Sequence, residues 1–329
     1  MLSWNIQSIQ LQLKYTWKIS RNASDEKTNL IVNVSDGNHS GKGEAAPNIR
    51  YHETVEETIK EFEKIKSTLE RKIKDVNELS NLIEDRAINN ALRFAIESAW
   101  FRFQQSRDKK SFYELTGISP TDKIAISYTI PIMETGLLKN FYEKNDLGRF
   151  SFIKLKVNHE NAFESLKHLL SFCKSPVMVD ANESFTDVDD CIRWFEMIKP
   201  FPLVLIEQPM PSHMKDESVY LKKYCPFNLF ADESITDDAD FSFLKKSFDG
   251  INMKLMKAGG YLNGIRLLQE ARRHKMKTMI GCMVETTLGI SSAMQLCSLV
   301  DYADLDSFLL VKDEPFGLVE EHQGILTFV

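Results

Sequence analysis

The chain has 329 residues, 43% hydrophobic and 27% charged, the balance of a folded globular protein large enough for a barrel-sized domain plus a smaller one. Its formal net charge of −6 gives no basic footprint, which argues against nucleic acid as a partner, and no apolar stretch approaches the roughly 18 residues that would cross a membrane. Five scattered cysteines, none in a Cys-x-x-Cys spacing, and an N-terminus without a signal-peptide pattern fit reduced thiols in a cytoplasmic protein rather than a disulfide frame or a zinc site.

Residues 1 to about 50 alternate apolar and polar. Ile6, Ile9, Leu11 and Leu13, then residues 30–34, predict strands of an antiparallel sheet. Residues 54–75 predict an amphipathic helix, with Ile59, Phe62, Ile65, Leu69 and Ile73 stepping by three or four. A second helix, predicted over 87–105, is rich in Ala, Phe and Trp and should be buried on more than one face. Sheet first and helices after is an α+β arrangement.

From Lys123 the rhythm becomes strand then helix. Strand-like runs fall at 124–130, 152–157, 177–181, 203–207, 229–232, 251–255, 278–281 and 303–310, with helical patterns such as 162–173, 188–198, 261–274 and 288–300 between them. Eight strands and about seven helices predict an α/β fold, a (β/α)7β TIM-like barrel, with a doubly wound open sheet as its competitor. The expected division is an N-terminal α+β capping domain over 1–120, with 312–329 packing back on it, and a barrel over 121–311.

Three acids end three successive apolar runs: Asp180 in Val-Met-Val-Asp-Ala-Asn, Glu207 in Leu-Ile-Glu-Gln-Pro and Asp232 in Phe-Ala-Asp-Glu-Ser, spaced by 27 and 25 residues. Carboxylates at strand ends are costly unless paired or bound to a cation, and hard oxygen ligands suit Mg²⁺. The plain alternative is that each acid caps the next helix or pairs with a lysine.

Lys154 and Lys156 lie two apart in an apolar strand and therefore share a face. Two buried ammonium groups side by side would lower each other's pKa, which suits a neutral base. The alternative is a lysine pair satisfied by the three acids. Lys254, inside its apolar run, competes with Lys257 at the edge of the next loop. If the second and sixth barrel strands stand across the mouth, Lys156 and Lys254 face each other, the arrangement for racemisation or epimerisation. Asp304 and Asp306 are expected on one face of the last strand, either binding a cationic substrate group or serving as a solvated or helix-capping pair.

The order Lys-x-Lys, Asp-Ala-Asn, Glu-Gln-Pro, Asp-Glu-Ser and Lys-Leu-Met-Lys-Ala-Gly-Gly resembles the muconate lactonizing enzyme subgroup of the enolase superfamily, and within it the dipeptide epimerases. Gly-Lys-Gly-Glu-Ala-Ala-Pro at 41–47 and Arg-Phe-Ala-Ile-Glu-Ser-Ala-Trp at 93–100 look like that family's capping-domain motifs. The resemblance implies Mg²⁺ held by Asp180, Glu207 and Asp232. It implies acid/base catalysis by Lys156 and Lys254 through an enediolate, with Lys154 as electrostatic support. Asp304 and Asp306 would hold the ammonium of a dipeptide, and Thr129, Cys282 and Val284 would line its site. Lys18 and Arg21, in a capping loop at about 15–26, are the cationic candidates for an acidic second residue, with hydrophobic and basic residues left open. Cys282 and Glu183 depart from the family's usual residues. The expected partners are a small-molecule dipeptide and further copies of the chain, in a homo-oligomer. An o-succinylbenzoate synthase, a cycloisomerase, an acid-sugar dehydratase and a catalytically dead binding barrel are the alternatives.

Overall fold

A computed structural model describes residues 2–20, 22–73, 75–84 and 88–329. The alternating N-terminus forms β1 (Ser3–Lys18), β2 (Ala23–Ser35) and β3 (Ser40–Ala45), an antiparallel sheet in the order β1-β2-β3. The amphipathic stretch forms α1 (Val55–Lys72), started by Thr54, whose hydroxyl accepts from the Glu57 amide. Its Phe62, Ile65 and Leu69 are buried, as their spacing predicts.

A helix that the sequence did not signal, α2 (Val76–Glu84), precedes α3 (Asn90–Asp108). The latter starts three residues later than expected because Asn89 caps it, accepting from the Leu92 amide at 2.8 Å. It lies almost directly on β3. A Cβ at Gly41 would stand 2.1 Å from the Ala99 carbonyl oxygen, and one at Gly43 2.0 Å from that of Ala95, so only glycine admits this approach. A short α4 (Phe112–Thr116) completes this part.

The run at 124–130 divides. β4 (Lys123–Ala125) pairs away from the barrel, and β5 (Ser127–Ile130) enters it. After α5 (Leu138–Lys144) come β6 (Phe152–Lys156), α6 (Ala162–Leu170), β7 (Val177–Asp180), α7 (Val188–Ile198), β8 (Leu203–Glu207), α8 (Lys215–Leu221), β9 (Asn228–Ala231) and α9 (Phe241–Ser247). Then follow β10 (Gly250–Lys254), a one-turn α10 (Leu255–Ala258), α11 (Tyr261–Arg273), β11 (Lys277–Gly281), α12 (Thr287–Met294) and β12 (Tyr302–Asp304). The strands β5 to β12 are neighbours in sequence order, and a parallel bridge from Ile126 to Ala303 joins the two ends. That closure is the barrel and excludes the open sheet, whose strand order would reverse.

The run at 303–310 is strand only to Asp304; residues 307–310 form a 3-10 turn. The chain then meets the N-terminal sheet, where Val311 bridges Leu13 and the Lys312 amide donates to the Gln12 carbonyl. It ends in a hairpin, β13 (Val319–His322) and β14 (Ile325–Phe328), whose second strand pairs with β4.

Alternation along the barrel strands sorts their side chains. Met178, Leu205, Phe230 and Met279 form a small buried cluster separate from the main core, with Phe152 and Tyr302 against it. They plug the lumen. The residues two further along each strand face the same way, at its C-terminal mouth. Lys154, Asp180, Glu207 and Asp304 occupy those positions on β6, β7, β8 and β12, and Asp232 follows β9.

Candidate active site

Each acid is the last residue of its strand or the first after it. Asp180 and Glu207 are register partners across β7 and β8, and Lys156 is the partner of Asp180 across β6 and β7. Asp180, Glu207 and Asp232 are all buried, at 0%, 0% and 2% exposure. The Asp232 amide donates to Gln208 Oε1 at 3.0 Å, which fixes its backbone, and Asn252 Nδ2 donates to Glu207 Oε1 at 2.8 Å, which orients that carboxylate.

The lysines lie on the acids. Lys154 Nζ is 2.7 Å from Asp304 Oδ2, 2.7 Å from Glu207 Oε2 and 3.3 Å from Asp180 Oδ2. Lys156 Nζ donates to Asp180 Oδ2 at 2.6 Å and to Asn182 Oδ1 at 3.0 Å. Lys254 Nζ donates to Asp232 Oδ2 at 2.8 Å. Lys257 is more deeply buried than Lys254. It donates to the other oxygen of Asp232 and to the carbonyls of Asp232 and Asn252.

The expectation of a depressed lysine pair does not hold for Lys154. Burial disfavours its charge, but Asp304, Glu207, Asp180 and Asp232 outweigh burial and hold it well above the ordinary lysine value. Lys254 is raised for the same reason, burial being outweighed by Asp232 and Glu207. Lys257 is lowered, since burial dominates there. Among the acids, Asp180 falls to about 2 and Asp232 is held well below the usual carboxylate range, because lysine charges outweigh burial. Glu207 rises to about 8 because burial dominates.

Among the described residues no three acidic, His or Cys side chains close around a point as a cation cage. The donor set nevertheless fits a hard divalent cation. Three buried carboxylates stand at the ends of neighbouring strands. Glu207 Oε2 has an ammonium nearby but no hydrogen bond, and burial drives this carboxyl toward its neutral form. A cation shared with Asp180 and Asp232 would relieve both conditions.

Asp304 and Asp306 meet at one point, though not on one strand. Asp304 ends β12 and Asp306 lies in the following loop with φ −98° and ψ −4°, a correction to the shared-strand expectation. Ser127 Oγ and Thr129 Oγ1 donate to Asp304 Oδ1 at 2.6 and 3.1 Å, and the Thr129 amide donates to Asp306 Oδ2 at 2.5 Å. Burial together with Asp304 pushes the Asp306 carboxyl up to about 7, while Lys154 outweighs burial to hold Asp304 below the usual range.

A cavity of about 630 Å³ joins these groups. Its wall includes Thr129, Lys154, Lys156, Asp232, Lys254, Cys282, Val284, Asp304 and Asp306. The N-terminal sheet and the turn at 47–51 roof it, with Trp17, Ile19, Lys27 and Arg50. Arg50 reaches down to the barrel, forming two hydrogen bonds with the Glu183 carboxylate at 2.9 and 2.7 Å. Lys18 is exposed and absent from the wall, because Trp17 and Ile19 on either side of it take the inward direction. Arg21 lies outside the described residues. Ser127, Asn252 and Lys27 were not foreseen as site residues, and Lys257 was foreseen only as the competitor of Lys254. Ser127 carried a usable signal, lying two residues from Thr129 on the same strand face.

Residues 139–321 match the family model described as "Enolase C-terminal domain-like". The chain is 30% identical to an L-Ala-D/L-amino acid epimerase of Pedosphaera parvula, over 97% of this chain and 93% of that one. It is 28% identical to an L-Ala-D/L-Glu epimerase of Bacteroides thetaiotaomicron, over 97% and 83%. Its fold is similar to that of a dipeptide epimerase from Cytophaga hutchinsonii complexed with Mg and the dipeptide D-Ala-L-Val, with a TM-score of 0.92 and 20% identity, covering 100% of this chain and 93% of that one.

Proposed function

This chain belongs to the Enolase C-terminal domain-like family, and we propose that it works as a Mg²⁺-dependent dipeptide epimerase, inverting the α-carbon of the C-terminal residue of a dipeptide. The observation that carries this reading is the pair Lys156 and Lys254. They end β6 and β10, four strands apart in a ring of eight, and so on opposite walls of one cavity. The division that goes with it is a capping domain of residues 1–120 over a catalytic barrel of residues 121–311. Val311 and Lys312 touch β1, but the hairpin at 319–328 pairs with β4, so only the start of 312–329 meets the cap and the rest goes with the barrel part.

Asp180, Glu207 and Asp232 would hold Mg²⁺, which when bound supplies positive charge beside the substrate carboxylate and so acidifies the neighbouring C–H. The chain's own residues do the rest. Asp304 and Asp306 take the dipeptide's ammonium, and Thr129 and Ser127 keep these carboxylates oriented. The α-carbon then lies between the two walls. One lysine removes its proton as a neutral amine, and the opposite lysine, as an ammonium, returns a proton to the other face. Lys154 stays charged and offsets the negative charge that develops nearby. The cap roof excludes water during the transfer.

The same Asp304–Asp306 pair favours a substrate with a free ammonium over the synthase, cycloisomerase and dehydratase readings. A panel of L,L dipeptides incubated with enzyme and Mg²⁺ in D₂O tests the proposal. It predicts loss of the C-terminal residue's α-proton signal and growth of the L,D epimer. A panel with no exchange overturns it.

A further inference from the structure

The loop after β7 is held in an unusual backbone shape. Asn182 and Glu183 both take left-handed conformations, with φ of 41° and 64°. Asn visits that region readily through its short side chain. Glu there is strained, and such strain persists only where the surroundings over-determine it. The loop also reaches the chemistry. The Asn182 amide donates to Asp180 Oδ1 at 3.0 Å, and its side-chain oxygen accepts from Lys156 Nζ at 3.0 Å. Asn182 is buried, so the bond to Lys156 is shielded from solvent.

The bonds that fix this loop come largely from the roof. The Glu183 carboxylate accepts from Arg50 Nε at 2.9 Å on one oxygen, and from Arg50 Nη2 at 2.7 Å and the Ser212 amide at 2.8 Å on the other. Arg50 Nη2 also donates to Ser212 Oγ at 2.9 Å. A two-point guanidinium–carboxylate pair fixes direction as well as distance, and the Glu183 side chain is only 7% exposed. The Glu183 amide is tied in turn to the Gln208 carbonyl at 2.8 Å. From the cap sheet, Ser20 Oγ donates to the Asn182 carbonyl at 2.7 Å, and the Trp17 ring centre lies 5.9 Å from Lys156 Nζ. Lys254 is supported differently. Its partner Asp232 is braced by Lys257 from within the barrel, and among the described residues Arg50 makes no hydrogen bond to that wall.

We propose that Glu183 is a positioning residue for Lys156. Clasped by Arg50, it holds the loop in the shape that presents the Asn182 oxygen to the Lys156 ammonium. Seating of the roof turn at 47–51 then governs proton transfer on one face of the substrate and not on the other. This rests on the epimerase reading above.

The test takes the dipeptide that exchanges fastest in the panel above and measures kcat and KM for α-proton exchange in D₂O with Mg²⁺, from its L,L and L,D epimers separately. The proteins are wild type, Glu183→Gln, Arg50→Met and the double variant, with Lys156→Ala marking the epimer that Lys156 serves. Each single variant should lower kcat from that epimer by about 10-fold or more, the effect of a misplaced catalytic amine, and leave kcat from the other within about twofold. The double variant should lose no more than either single one, because both break the same clasp. A clasp that only closes the roof would lower both epimers alike or raise both KM values, and that result overturns the proposal. So do variants that exchange both epimers at the wild-type rate, or that lose the epimer served by Lys254. Arg50→Met, on a side chain one-third exposed, decides the matter if Glu183→Gln fails to fold. Symmetric loss sinks this assignment and leaves the epimerase reading standing; a panel with no exchange sinks both.

Discussion

Lys254 and Lys257 bind opposite oxygens of a single carboxylate, that of Asp232: Lys254 takes Oδ2 at 2.8 Å and Lys257 takes Oδ1. The two lysines nevertheless differ in kind. Lys257 also satisfies two backbone carbonyls from inside the one-turn helix after β10, while Lys254 faces the cavity. Lys257→Met should therefore cost about 3 kcal/mol or more in urea unfolding, because it leaves one oxygen of the buried Asp232 carboxylate and two carbonyls without their donor. Lys254→Met should cost less. The reverse ranking would mean that Lys254 is the structural lysine.

Asp180, Glu207 and Asp232 should together define the metal affinity. Mg²⁺ at a hundred times its dissociation constant is expected to stabilise the folded protein by about 2.7 kcal/mol, and the effect should be lost in Glu207→Gln. Thermal unfolding with and without Mg²⁺ and EDTA measures this. An equal gain in wild type and Glu207→Gln would remove Glu207 from the ligand set.

Asp306 gives dipeptide binding a pH dependence. Its carboxyl titrates at about 7, so below that pH it is neutral and attracts an ammonium weakly. Affinity for a dipeptide should rise as pH increases from 6 to 8, and Asp306→Asn should flatten the rise. Titration calorimetry at several pH values checks this, and a slope that persists in the variant would place the titrating group elsewhere.

Three further carboxyls, Glu53, Glu97 and Glu285, rise from 4.5 to about 7, 7 and 8 because burial outweighs their backbone hydrogen bonds. Between roughly pH 4.5 and 8 the folded chain holds protons there that the unfolded chain has released. Their contribution to stability is thus full below about 4.5 and lost as pH climbs through 7 to 8. The metal-free protein should lose stability from pH 5 to 8, and Glu97→Gln, which can still accept from the Leu262 amide, should lose less. A stability that rises over this range contradicts these shifts.

The barrel and its acids were legible in the sequence because a buried parallel strand is written as an apolar run, and a charge ending such a run has few innocent explanations. What failed to show depended on partners distant in sequence. Lys154 and Lys156 looked like a pair that would lower each other's pKa, whereas the charge of Lys154 is held by acids on β7, β8 and β12. Lys18 looked like a roof cation only while residues 15–26 were taken as a loop. Once β1 runs to Lys18, alternation turns that side chain outward. Lys27 was hidden for the converse reason, since only the pairing of β2 with Leu11 shows which face it takes. The split of residues 124–130 follows from the C-terminal hairpin, 190 and more residues away, drawing β4 off the barrel.

The most direct measurement of the central claim is α-proton exchange in D₂O from each epimer of one dipeptide substrate, in Lys156→Ala and in Lys254→Ala. Lysines on opposite walls predict that each variant still exchanges the proton of one epimer only, and that the two variants retain opposite epimers. If both variants retain the same epimer, or if Lys257→Ala rather than Lys254→Ala removes one face, the two-wall arrangement is wrong.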